Sequence, residues 1–177
     1  MISPTPSFRS FARVAALTSA LLLLPGCTPA PSPTPTPAFA SEEEAFAAAE
    51  ATYRAYTDAS NATDLHDPHS FEPVYRWLRG KALAAAKANY SEFYASDMTR
   101  AGDTTFDSFS AVSYDGGIVT AHLCVDVSEV ELLDANDTSV VPADRPPRQP
   151  LEVQFTNATT GSALAISSTT STTAIEC

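Results

Sequence analysis

Hydrophobic and polar positions along this chain change period more than once, and the changes mark out its elements. Apolar residues run together from Val14 to Leu24 behind Arg9 and Arg13. That run is shorter than the roughly 20 residues a bilayer span requires, and its basic start gives it the build of a secretory signal peptide. From Glu42 to about residue 60, Phe46, Ala49, Tyr53 and Tyr56 recur at spacings of three and four, with Glu50, Arg54 and Asp58 between them. The spacing predicts an amphipathic helix whose aromatic face is buried. Ser41 with Glu44 three residues on is a capping-box pattern, and three glutamates in the first turn suit the positive end of the helix dipole.

Residues 61 to 68 break the pattern. Ser70 is then placed to cap a short helix with Pro73 in its first turn, Phe71, Val74, Trp77 and Leu78 facing inward, and Gly80 at its end. A third helix over about 81–97 carries Leu83, Tyr90, Phe93 and Tyr94 as a stripe, with alanines between them that permit close approach. After Met98 the period becomes two. Residues 104–114 predict a strand, Asp115 and Gly116 a hairpin turn, and 117–133 a long second strand. In it Val119, Ala121, Leu123, Val125 and Val127 point one way, and Thr120, His122, Cys124, Asp126 and Ser128 the other. A proline-broken loop over 134–150 and strands over 151–156 and 163–176 follow, the last rich enough in serine and threonine to leave one face wet. Three helices followed by about four antiparallel strands predict the α+β class, with helices over one face of a curved sheet.

Cysteine usage changes this picture most. Leu24, Pro25, Gly26 and Cys27 follow the signal run in the pattern of a bacterial lipobox, an aliphatic residue three before the cysteine and a small one directly before it, although Pro25 departs from the usual residue there. Cys27 is therefore expected to carry a lipid and to tether the chain to the outer face of a bacterial cell membrane. Residues 28–40 alternate proline with small polar residues, which predicts a polyproline stalk of roughly 40 Å. The expected organisation is a signal peptide over 1–26, the lipidated cysteine and stalk over 27–40, and one domain over 41–177. In an oxidising compartment the two remaining cysteines, Cys124 and Cys177, are expected to pair and fasten the closing strand. Past the cleavage point eight basic residues face 21 acidic ones, a balance of −13, which argues against nucleic acid and against a basic membrane-binding patch.

The segment AEATYRAYTDASNATDLHDPHSFEPVYRW, the alanine-rich helix, the strands with AHLCVDVSEVELLD, and the closing PLEVQF and ALAISS together resemble small actinobacterial lipoproteins of the nuclear transport factor two-like (SnoaL-like) superfamily. The resemblance spans about residues 42–177 and rests on the order of elements. It implies a cone, a bent sheet wrapped around helices with a pocket at the open end, in a superfamily that includes ketosteroid isomerases, polyketide cyclases and domains without catalysis.

Candidate chemistry is sparse. An isomerase of this kind needs a poised carboxylate or histidine in an apolar pocket and a donor such as tyrosine. His122 and Asp126 share a strand face about 13 Å apart. His122 lies opposite the valine row, so it is expected to be a solvated strand histidine, and Tyr56, Tyr90 and Tyr94 to be core aromatics with one wet end. No catalytic residue is assigned. Asp64, His66, Asp67 and His69 have metal-ligand side chains, but their spacing matches no zinc or calcium motif, and no metal or other cofactor is expected. Nucleotide fingerprints and a G-x-S-x-G elbow are missing from the sequence. The expected function is non-catalytic binding of a protein partner or a small apolar ligand, with Phe71, Trp77, Tyr90 and Tyr94 as the candidate pocket wall. Two alternatives stand beside it: an isomerase or cyclase-like enzyme acting on a small apolar substrate, and a structural subunit of an envelope assembly, pairing as a homodimer through its sheet.

Overall fold

A computed structural model describes residues 39–158 and 164–177. The expected signal peptide, Cys27 and the expected stalk up to residue 38 lie outside the described residues. The element order is α1 (Glu42–Asn61), a 3₁₀ turn (Pro68–Phe71), α2 (Glu72–Tyr75), α3 (Gly80–Ala95), β1 (Thr99–Ala101), β2 (Thr105–Asp115), β3 (Ile118–Asp126), β4 (Glu131–Leu133), β5 (Arg148–Asn157) and β6 (Leu164–Ser171). β2, β3, β5 and β6 form one antiparallel sheet in that order, while β1 and β4 pair separately. The molecule is therefore α+β, with helices on one face of the larger sheet, as the change of period predicts.

α1 begins where its capping residues put it. Ser41 accepts the Glu44 amide at 3.2 Å, and the Glu44 carboxylate accepts the Ala40 amide at 2.9 Å, one residue earlier than a capping box would. The buried face of the helix is Ala45, Ala49, Thr52, Tyr53 and Thr57, with Phe46 and Tyr56 at its margins. The centre thus lies slightly off the aromatic stripe and includes two threonines. Each of them donates its hydroxyl to the carbonyl four residues back, Thr52 to Ala48 at 2.7 Å and Thr57 to Tyr53 at 3.0 Å, which lets a polar side chain be buried satisfied.

Between α1 and α3 the chain differs from expectation. Asp67, not Ser70, caps the 3₁₀ turn by accepting the His69 amide, while the Ser70 hydroxyl donates to the carbonyls of Asp64 and Asp67. The helix that follows is a single turn. Gly80 opens α3 instead of ending its predecessor, because residues 77–79 leave the helix to pair with the edge of β6: Ile166 donates to the Trp77 carbonyl and Arg79 donates to that of Ile166, both at 2.8 Å.

The strands also differ in detail. The hairpin turn is Gly116 and Gly117, at φ +57° and +84°, the two left-handed positions that a two-residue turn of this hand demands. β2 is broken by register shifts on either side of Ser110 and Ala111. The long strand over 117–133 is split, because Asp126 accepts the Ser128 amide at 2.9 Å and Val130 donates to the Val127 carbonyl at 3.0 Å, turning the chain out of the sheet. β5 begins at Arg148, inside the expected loop, and carries Pro150 opposite Cys124. β6 ends at Ser171, where Thr172 accepts the Ala174 amide and bends the chain back.

Ala45, Ala49 and Tyr53 of α1 join Val74, Leu78, Val119, Ala121, Leu123, Val153, Phe155, Leu164 and Ile166 in one core. Val119, Ala121, Leu123 and Val125 face it as the alternation predicts. On the opposite sheet face Cys124 and Cys177 form a disulfide, Cα to Cα 5.7 Å, which explains why a residue of the polar row is buried. Arg148 reaches Asp107 at 2.7 Å and Asp126 at 3.4 Å, tying β2, β3 and β5 together, and its hydrogen bond holds the Asp107 carboxyl below the usual range.

Candidate functional site

A cavity of about 620 Å³ lies among α1, α3 and the sheet. α1 contributes Tyr53, Tyr56, Thr57 and Ser60; α3 contributes Lys81, Ala82, Ala85, Ala86 and Asn89; Val125, Leu151, Glu152, Gln154 and residues 168–170 complete the lining with Leu78 and Thr104. The space exists because α3 turns alanines toward it. A leucine at any of these places would fill much of what the neighbouring helix and strands leave open.

Two phenols meet this cavity without a protein partner. Tyr53 is 4% exposed, and among the described residues neither its hydroxyl nor that of Tyr56 has a hydrogen-bond partner. No fully enclosed side-chain oxygen or nitrogen among the described residues lacks a partner, so both hydroxyls open onto the cavity and are not sealed in packed core. Burial pushes the Tyr56 phenol up to about 12, with the neighbouring Tyr90 phenol adding to the shift. Burial likewise raises that of Tyr53, with Tyr56 adding. Both therefore stay protonated at neutral pH and present O–H groups that can donate.

Glu152 is among the lining residues, but register sets its side chain beside His122 on the other face of the sheet, the face of the Cys124–Cys177 disulfide, where Glu152 Oε2 stands 3.1 Å from His122 Nε2. The His122 side chain is 13% exposed, so it is not the solvated histidine expected from strand alternation; the register that sets it opposite Glu152 on β5 supplies its partner. Asp126, the other member of that row, is engaged by Ser128 and Arg148.

The expected aromatic wall divides. Phe71 stacks on Tyr90 at 4.7 Å, and the Tyr90 hydroxyl stands 3.2 Å from that of Ser60. Phe71 and Tyr94 border a separate groove of about 350 Å³ with Tyr75 and Lys87, whose ammonium lies 5.3 Å from the Tyr75 ring. Tyr94 is 51% exposed, and Trp77 is half-buried beside the β6 edge. The sequence puts Tyr53 and Tyr56 on the inward face of α1 and offers Tyr56 as a phenol with one wet end, but it does not mark Tyr53 as a site residue; the row of alanines in α3, which predicts close approach, is the signal that bears on the gap beside them. In the loop, His66 sits between Asp64 at 3.5 Å and Asp97 at 3.3 Å, and Asp64 and Asp67 each accept a backbone amide two residues on. Among the described residues no three side chains of His, Cys, Asp or Glu are gathered to hold a metal. No helix among them is long and apolar enough to cross a membrane.

No family model and no curated protein matches the sequence. Several solved structures are similar in arrangement. A candidate aromatic ring hydroxylase from Novosphingobium aromaticivorans is 10% identical over 75% of this chain and 96% of its own, with a TM-score of 0.46. The intermembrane space region of the chloroplast protein ARC6 is 17% identical over 70% and 92%, at 0.42. A candidate polyketide cyclase from Xanthomonas campestris pathovar campestris is 13% identical over 69% and 90%, at 0.34. What each of those proteins does is a statement about that protein alone.

Proposed function

We propose that this chain is a lipid-anchored domain on the outer face of a bacterial cell membrane, and that it holds a small, mostly apolar ligand in the cavity beneath α3 without converting it. The observation that carries the binding reading is the pair of phenols, buried Tyr53 and half-buried Tyr56, whose hydroxyls face a lined space and find no partner among the described residues. Such groups cost free energy unless water or a ligand satisfies them. The anchoring reading is supported by the Leu24–Cys27 pattern and the proline-rich segment after it. Thermal unfolding against a panel of steroids, aromatic ketones and acyl esters tests the first part. At a hundredfold excess over Kd a true ligand stabilises the domain by about 2.7 kcal/mol, and removing both hydroxyls as Tyr53→Phe with Tyr56→Phe weakens it about tenfold. A panel without any shift defeats the binding reading. Radiolabelled palmitate should enter the wild type and not Cys27→Ser; absence of label from both defeats the anchor.

A further inference from the structure

We propose that α3 is a movable roof over the cavity, hinged at its two ends and latched by Tyr90. The proposal takes its purpose from the ligand reading above, but its geometry stands apart from it. The two long helices are held very differently. α1 buries five of its residues, whereas none of the sixteen residues of α3 is buried. The side of α3 turned to the sheet lines the cavity with Lys81, Ala82, Ala85, Ala86 and Asn89, and only Ala82, Leu83, Ala86 and Tyr90 reach the core, each partly buried. Alanine offers little apolar surface to hold a helix down.

Both ends of α3 are fixed immediately outside the helix. Leu78 is 2% exposed, and Arg79 donates its amide to the Ile166 carbonyl at 2.8 Å, so the chain is fastened to β6 up to the residue before Gly80. Gly80 then takes φ +50°, and a Cβ there would meet only the Ser167 carbonyl at 3.6 Å, leaving room to turn. At the far end Asp97 takes φ +51°, and Thr99 enters the β1 pairing with β4. Gly80 and Asp97, the latter inside a cap where Met98 donates to the Phe93 carbonyl at 3.0 Å, are thus the element-terminal residues between α3 and its anchored neighbours, the places at which a hinge absorbs a change of φ and ψ.

A single residue closes the roof. Tyr90 stacks on buried Phe71 at 4.7 Å, meets Tyr75 edge-on at 6.1 Å, and stands 3.2 Å through its hydroxyl from Ser60 of α1. This is the one hydrogen bond between side chains of α1 and α3 among the described residues. Releasing it leaves α3 held over the cavity by the contacts of Ala82, Leu83 and Ala86 alone, and widens the path into the cavity between α1 and α3.

Distances between spin labels on the purified full-length protein test this directly, with no ligand present. One pair joins exposed positions on the two helices, Asp58→Cys with Ala88→Cys; a control pair joins α1 to the hairpin, Ala51→Cys with Asp115→Cys. The helix pair should show two distances and the control one. Tyr90→Phe, which keeps the ring stack and removes the hydroxyl, should at least double the longer-distance population and leave the control unchanged. Ser60→Ala removes the same hydrogen bond from the other side and should do likewise. A single helix–helix distance unchanged by both variants overturns the roof, and so does a control pair that broadens in step with the helix pair. Either failure leaves the ligand reading standing, and failure of the ligand panel leaves the two distances standing.

Discussion

Tyr53 and Tyr56 stand three residues apart on α1, and the missing partner for each hydroxyl separates them from ordinary core tyrosines. Their burial has a consequence at high pH. The Tyr56 phenol is raised from 10.0 to about 12, so between those values the unfolded chain gives up a proton that the folded chain keeps. A group raised in the folded state contributes stability that is complete below its unfolded value and is lost as pH climbs through the folded one. Each such phenol should remove about 1 kcal/mol of stability between pH 10 and pH 11. Urea midpoints across that range should therefore fall in the wild type and fall less steeply in Tyr56→Phe. An equal slope in both proteins would mean that Tyr56 titrates as a free phenol. The periodicity of α1 was enough to place both tyrosines toward the interior. It could not distinguish a phenol against packed carbon from one against a gap, because that depends on the size of residues on α3 about thirty positions away.

Local rules acted where they were strongest. Ser41 and the glutamates after it start α1 where the pattern predicts, and Ser41→Ala should cost about 1 kcal/mol, read as a lower urea midpoint with an unchanged slope. The change of period after Met98 gives the order of helices and strands. Boundaries were legible only where the chain itself marks them. Asp126 ends β3 through an amide two residues on, and Gly80 belongs to the helix after it because the segment 77–79 pairs with a strand more than eighty residues later. No local pattern announces that pairing. The bulged register of β2 and the partnership of His122 with Glu152 also depend on neighbours distant in sequence. Alternation alone assigned His122 to solvent, since it reports which face a residue occupies and not what stands opposite.

At the scale of the whole described domain, the disulfide between Cys124 and Cys177 joins β3 to residues that follow the last strand, across a separation of 53. On the chain-entropy model a loop of that length is worth about 4 kcal/mol. Reduction under mild conditions should lower stability by that order, seen as a shift of the urea midpoint that reverses on reoxidation. A midpoint indifferent to reductant would place the staple's worth near zero. This connection was legible because only two cysteines remain once Cys27 is set aside for lipid. The cavity was not, since no stretch of sequence encloses it.

Residues 77–79, laid in parallel along the opening of β6, also act as an edge guard. The amide and carbonyl of Ile166 that point away from β5 are already engaged, so that part of the sheet margin cannot template the strand of another copy. For a protein crowded onto a membrane by its anchor, as proposed, two-dimensional concentration favours such mispairing. The same turn that swings the chain into α3 would then keep neighbouring molecules from zipping together.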